Sequence, residues 1–156
     1  MNEITIPNFT TLKLEHIVLD YNGTIAKDGM LKESAKELIK KLCETYTVHI
    51  ITADTFGSVA AQSEDLDIVL KILKGTDHTQ EKADYIEALG NERCAAFGNG
   101  NNDAKMLSLA ALGVAVTGEE GCAGATLLAS DIVCKNIEEA LELLLHPKRL
   151  VATLRR

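Results

Sequence analysis

Asp20 ends a short apolar run, Ile17-Val18-Leu19, and is followed by Tyr21-Asn22-Gly23-Thr24. This pattern puts a carboxylate at the end of a buried strand with a tight turn behind it. Thr52 offers a hydroxyl at the end of a second apolar run, Val48-His49-Ile50-Ile51. Gly98-Asn99-Gly100-Asn101-Asn102-Asp103 is a polar, glycine-rich turn running into a helix, and Lys82 lies near the start of the preceding helix. A carboxylate, a hydroxyl, a lysine and an Asn/Asp turn on one edge are the parts needed to hold a phosphoryl group and Mg2+. Carboxylates and carbonyls suit the cation, while exposed backbone amides and a lysine suit phosphate.

The elements that must position these groups alternate along the chain. Leu31, Ala35, Leu38, Ile39 and Leu42 recur at helical spacing. The pattern then predicts a strand over 48–51, a short helix over 57–63, a strand over 68–73 and a helix over 80–89 closed by Gly90. It continues with a strand over 94–97, a helix over 103–111, a strand over 114–116, a helix over 121–128 and a strand over 131–134. Ile137, Ala140, Leu141, Leu144 and Leu145 form a last strong apolar face, and Pro147 starts a basic terminal helix. Alternating strands and helices with short links imply an α/β fold with a mostly parallel sheet covered on both faces. Ile4-Thr5-Ile6, Pro7-Asn8 and Thr11 to Leu14 predict an antiparallel hairpin beside the first parallel strand. In open α/β sheets the ligand site lies at the carboxyl ends of the strands, where these polar residues collect.

The 156 residues fit one domain, 1–156, by the usual length prior. Hydrophobic residues make up 46% and charged residues 25%, a soluble globular profile rather than a disordered one. No apolar run reaches the ~18 residues of a membrane span. Met1-Asn2-Glu3-Ile4 lacks the basic start and apolar core of a signal peptide, which implies a cytoplasmic protein. The net charge of −7 argues against nucleic acid as a partner, as does the 4% aromatic content, with no Trp to stack on bases. Cys43, Cys94, Cys122 and Cys134 lack CxxC or zinc-like spacing and read as small apolar residues in a reducing compartment. His16 and His49 fall in predicted strands and read as sheet residues, not metal ligands.

The motifs D-Y-N-G-T, Ile50-Ile51-Thr52, Lys82 and G-N-G-N-N-D, in this order, resemble the haloacid dehalogenase (HAD) superfamily of phosphohydrolases. That family's pattern is D-x-D-G-T, a strand-end Thr or Ser, a lone Lys, and G-D-G-x-N-D. The sequence is most similar to the phosphorylation domain of P-type ATPases, on Thr52-Ala53-Asp54 and on Asn102-Asp103-Ala104 through Ala111-Leu112-Gly113-Val114-Ala115. The resemblance implies a three-layer, Rossmann-like HAD fold. It also implies that Asp20 is a nucleophile forming an aspartyl phosphate. Thr52 and the amides near Gly23 and Ala53 would hold the phosphoryl oxygens, and Lys82 would neutralise charge. Asp20, the backbone carbonyl of Asn22, Asn99 and Asp103 would hold Mg2+.

Two positions depart from the family. Asn22 stands where phosphatases carry the Asp that acts as general acid and base, a function worth about 10²–10⁴-fold. P-type ATPases carry Thr there, which goes with a slowly hydrolysed intermediate. Asn99 replaces the first Asp of the last motif and removes one negative charge from the metal site. Each residue also has a plain structural reading: Asp20 as a loop cap, Thr52 as a helix cap, Lys82 as a solvated surface group, and Asn101, Asn102 and Asp103 as a turn and cap.

Neither the stretch after Thr24 nor that from Thr55 to Lys82 can hold a cap domain, and the nucleotide-binding insertion of P-type ATPases is absent. The expectation is a slow, Mg2+-dependent, cap-less phosphohydrolase acting on a phosphorylated small molecule or a larger phospho-substrate. The alternative is a catalytically degenerate domain used for binding or assembly. An open site, and Leu150, Val151 and Leu154 without an obvious core to join, predict a homo-oligomer. No nucleic acid and no membrane are expected as partners.

Overall fold

The computed structural model describes residues 2–54 and 57–156. It contains strands β1 (Asn2–Ile6), β2 (Thr10–Leu14), β3 (His16–Asp20), β4 (Ala26–Lys27) and β5 (Met30–Leu31), helix α1 (Glu33–Leu42), strand β6 (Thr47–Thr52), helix α2 (Ser58–Gln62) and strand β7 (Val69–Ile72). There follow helix α3 (His78–Leu89), strand β8 (Cys94–Gly98), helix α4 (Ala104–Leu109), strand β9 (Leu112–Val116), helix α5 (Gly124–Ala129), strand β10 (Ile132–Cys134) and helices α6 (Ile137–Leu145) and α7 (Pro147–Leu154). A six-stranded parallel sheet runs in the order β10-β9-β8-β3-β6-β7. This is the predicted mostly parallel α/β arrangement.

Alternation along the strands builds two cores. Ile17, Leu19, Val48, Ile50, Ala95 and Phe97 face one side of the sheet, where Ile39 of α1 and Leu141 of α6 cover them. Val18, Ile51, Cys94, Ala96 and Ala115 face the other, under Ile86 of α3 and Met106 and Leu107 of α4. Burial on both faces is why these strands read as continuous apolar runs. Each large aliphatic side chain removed from water here contributes roughly 1.5–3 kcal/mol. His49 is buried in β6 and hydrogen-bonded on both ring nitrogens, to His16 Nδ1 (3.1 Å) and to the Tyr85 hydroxyl (2.8 Å). It is a sheet residue, as its strand position implies.

The N-terminal hairpin forms, with Asn2 opposite Leu14 and Ile6 opposite Thr10, but it is a separate two-stranded sheet. The expected place beside the first parallel strand is already filled, because β3 pairs with β8 on one edge and β6 on the other. The hairpin instead buries Ile4, Ile6, Leu12 and Leu14 in the main core. The tail also differs from expectation. Leu150 is fully buried in that same core, with Val151 and Leu154 packed against it, and the Arg156 amide donates to the Pro7 carbonyl (3.0 Å). The apolar face of α7 therefore has a core to join, and the argument for self-association from this tail falls.

A two-residue turn, Asp28-Gly29, joins β4 to β5 with both residues at positive φ (53° and 79°). Among the described residues, only this small hairpin separates the Thr24 turn from α1, and only α2 and β7 lie between 57 and α3. No cap is inserted at either place; Thr55 and Phe56, at the start of the second stretch, lie outside the described residues. No described helix is long and apolar enough to cross a membrane.

Candidate active site

β3 lies where the chain reverses its direction of growth across the sheet: β6 and β7 follow on one side, β8 to β10 on the other. Ligands in such sheets bind at this switch point, outside the carboxyl ends of the strands. Asp20, the last residue of β3, is there. The Thr24 hydroxyl donates to Asp20 Oδ2 (3.0 Å) and lies 3.2 Å from Asn99 Oδ1, tying the turn to the end of β8. Gly23 has φ +79°, and a Cβ at this position would collide with the Asn99 side chain. Its N–H donates to the Ala26 carbonyl (2.9 Å), so this amide is engaged inside the turn.

Lys82 reaches the same point from α3. Asp77 caps the helix by accepting from the Gln80 amide (3.1 Å), and the Glu81 carboxylate accepts from the Lys74 and Gly75 amides (3.0 and 2.8 Å). These bonds hold the first turn against the loop that follows β7. The buried Lys82 ammonium spends its three protons on Asp20 Oδ1 (2.9 Å), Asn102 Oδ1 (3.0 Å) and Asp103 Oδ1 (2.7 Å). Asp103 is fully buried, and its other oxygen accepts from the Asn99 and Gly100 amides (3.1 and 3.0 Å). Gly98 is required beneath it, since a Cβ there would lie 2.5 Å from the Asp103 carboxyl.

Burial, and then the neighbouring Asp103 charge, push the Asp20 carboxyl up to about 7 against the pull of Lys82. Burial alone would lower the Lys82 ammonium, but Asp20 and Asp103 outweigh it and hold it above the usual lysine range. Two carboxylates around one lysine leave excess negative charge in a buried place.

Thr52 is buried at the end of β6, and its Oγ1 accepts from the Asp54 amide (3.2 Å). Asp54 accepts from the Val59 amide at the start of α2 (2.9 Å), which ties the end of β6 to that helix. Asp20, Asn22, Thr52, Ala53, Lys82 and Asn99 line one cavity of about 220 Å³. Its volume would hold several waters at ~30 Å³ each. Asp103 is buried and not on the cavity wall, while Gly23 lines a separate pocket.

Two further residues on the cavity wall, His78 and Asn102, escaped the sequence reading as functional groups. Asn102 was visible only as part of a turn. His78 had one usable signal: it is four residues before Lys82, on the same helical face.

Among the described residues, no three His, Cys, Asp or Glu side chains gather as a metal cluster. Asp20, Asn22 and Asn99 line the cavity and carry oxygen donors, with the buried Asp103 behind them. An all-oxygen set carrying uncompensated negative charge fits Mg2+ and not a thiophilic metal.

A family model described as haloacid dehalogenase-like hydrolase matches residues 80–136. An uncharacterized protein of Methanocaldococcus jannaschii is 52% identical over 65 residues, which cover 42% of this chain and 70% of that protein. A protein of Archaeoglobus fulgidus named "Probable copper-exporting P-type ATPase" is 38% identical over 96 residues, 60% of this chain but only 12% of the ATPase. Among solved structures, 3-deoxy-D-manno-octulosonate 8-phosphate phosphatase from Moraxella catarrhalis, in complex with magnesium, phosphate and the sugar acid, superposes with a TM-score of 0.72. That match has 19% identity and covers 92% of this chain and 94% of the other. Sheet order, the motifs at its strand ends and these similarities agree: the chain has the haloacid dehalogenase fold, and residues 80–136 match that family in sequence.

Proposed function

We propose that residues 1–156 form one Mg2+-dependent phosphohydrolase domain that works through an aspartyl phosphate on Asp20. The observation that carries this reading is the Lys82 ammonium held between Asp20 and Asp103 on the wall of a cavity that also presents Thr52 and Ala53. In this reading an Asp20 oxygen attacks phosphorus and the ester oxygen leaves. Thr52 and the Ala53 amide hold the phosphoryl oxygens, and Lys82 balances their charge. Asp20, the Asn22 carbonyl, Asn99 and Asp103 would hold Mg2+, which supplies further charge neutralisation at the phosphoryl group. Water then releases phosphate from Asp20, slowly, because Asn22 cannot exchange a proton.

The substrate class is a phosphorylated small molecule, in keeping with the sugar-acid phosphate named for the Moraxella relative, or a larger phospho-substrate admitted by the open site. Four free cysteines support a cytoplasmic setting. The cap-less site, open to water, is the ground for expecting a homo-oligomer, which sedimentation at micromolar concentration checks. The alternative, a degenerate domain with a binding or assembly role, is favoured by the two Asp-to-Asn departures at 22 and 99. Hydrolysis of a generic phosphate ester with and without Mg2+, using Asp20→Asn as the blank, separates the two readings. Equal rates for wild type and Asp20→Asn would leave the binding role standing.

A further inference from the structure

We infer that His78 is the acid–base group that Asn22 cannot be, an inference that rests on the phosphohydrolase reading. His78 is the first residue of α3 and lines the same cavity as Asp20, Asn22 and Lys82. It precedes Lys82 by four residues, so it lies one turn, about 6 Å, further along the same face of the helix. Lys82 is buried against Asp20, whereas His78 is half-buried. Of these two cavity residues, His78 is therefore the one more open to solvent. In an in-line displacement the leaving group departs on the side opposite the attacking oxygen, and in this inference that side is the solvent-open His78 end of the cavity.

Elimination on the cavity wall points to the same residue. Asn22, Thr52, Asn99 and Asn102 are neutral at any relevant pH, and Asp20 and Lys82 are tied into one ionic cluster with Asp103. Among the described residues on that wall, His78 is the remaining side chain whose type exchanges protons near neutrality. The charged groups around it are Asp77, Glu81 and Lys82 on its own segment and Asp20 across the cavity.

The chemistry balances. In the first step an Asp20 Oδ–P bond forms and the ester P–O bond breaks. The electron pair of the broken bond goes to the leaving oxygen, which takes a proton from the His78 imidazolium and departs as an alcohol. In the second step neutral His78 takes a proton from water as the water oxygen bonds to phosphorus. The Asp20 Oδ–P bond breaks, the carboxylate is restored and inorganic phosphate leaves.

The test is kcat/KM against pH, with Mg2+, for wild type, His78→Gln, Asn22→Asp and the double variant. The substrates are an alkyl phosphate, whose leaving oxygen needs a proton, and acetyl phosphate, whose leaving carboxylate does not. His78→Gln should lower kcat/KM on the alkyl ester by about 10²-fold, on acetyl phosphate by under about 10-fold, and should remove one limb of the pH profile. Adding Asn22→Asp should return much of the alkyl-ester rate. Equal losses on both substrates, or an unchanged pH limb, would overturn the role of His78 while Asp20-dependent hydrolysis left the phosphohydrolase reading intact. A wild-type protein with no turnover above the Asp20→Asn blank would overturn both.

Discussion

Lys82 Nζ lies closer to Asp103 (2.7 Å) than to Asp20 (2.9 Å), so the lysine is a shared counter-ion and not the private partner of either carboxylate. One cation holds together the end of β3 and the turn after β8, and among the described residues Lys82 is the one lysine or arginine on the cavity wall.

Lys82→Met should therefore destabilise the fold as well as abolish phosphate hydrolysis. Removing one partner from a buried ionic cluster leaves uncompensated charge and costs roughly 3–5 kcal/mol. Urea denaturation at pH 7 checks the stability. Wild-type stability in the variant would show that Asp20 and Asp103 are solvated in solution.

Asp20 should make the metal-free protein weaker at high pH. Its carboxyl is raised from 3.8 to about 7, so the folded state holds a proton that the unfolded state has lost. The stabilisation is complete below about pH 4 and is lost as pH rises through 7. In EDTA at pH 8, Asp20→Asn should be more stable than wild type by about 1–4 kcal/mol, and the gap should close at pH 4. Thermal or urea unfolding across this range measures it, and a gap independent of pH would refute the assignment.

Asn22→Asp should raise steady-state phosphatase turnover by about 10-fold or more, since it restores a proton carrier beside Asp20. The gain is a small part of the general acid–base range because the pKa of the new carboxylate is untuned. A phosphoenzyme should be trapped more readily in wild type than in the variant. If Asn22→Asp stays at the Asp20→Asn background, the site lacks more than a base.

His49 predicts a loss of stability on the acid side. Burial, with a smaller contribution from His16, lowers its pKa from 6.5 to about 4, so the unfolded chain binds the proton first. The stability is fully present above pH 6.5 and drains away as pH falls towards 4. His49→Gln should make that fall shallower by on the order of 1 kcal/mol, read from unfolding midpoints at pH 7, 5.5 and 4.5. An unchanged slope would place the acid sensitivity elsewhere.

Much of this architecture is legible in the linear sequence because the physics is local. Ile17-Val18-Leu19 and Cys94 to Phe97 are buried on both faces, so they read as short apolar runs. Asp20 and Thr52 follow such runs directly, and Asp103 closes the polar turn after one. What was hidden is non-local. The hairpin of residues 2–14 has the right pattern for a sheet edge, but a pattern does not say that both edges of β3 are taken. Leu150 looked stranded because the core it joins includes Ile4 and Ile6, from the other end of the chain. The β4–β5 hairpin did leave a signal, since Asp28-Gly29 suits a two-residue turn with both residues at positive φ. His78 and the His16–His49–Tyr85 contacts depend on how helix faces meet the sheet, which periodicity does not encode.

The central place of β3 has a kinetic meaning. Asp20 and Lys82 are 62 residues apart in the chain, yet they touch, and the two neighbours of β3 come from segments on either side of α3. The entropy of closing those long loops must be met before the contacts between them return any free energy. The pocket therefore does not exist in a chain that has joined β3 to β6 but has yet to dock β8. On refolding, helical signal should return first and the ability to turn over substrate last. Turnover, if the proposed function holds, would be a report that the whole sheet has closed.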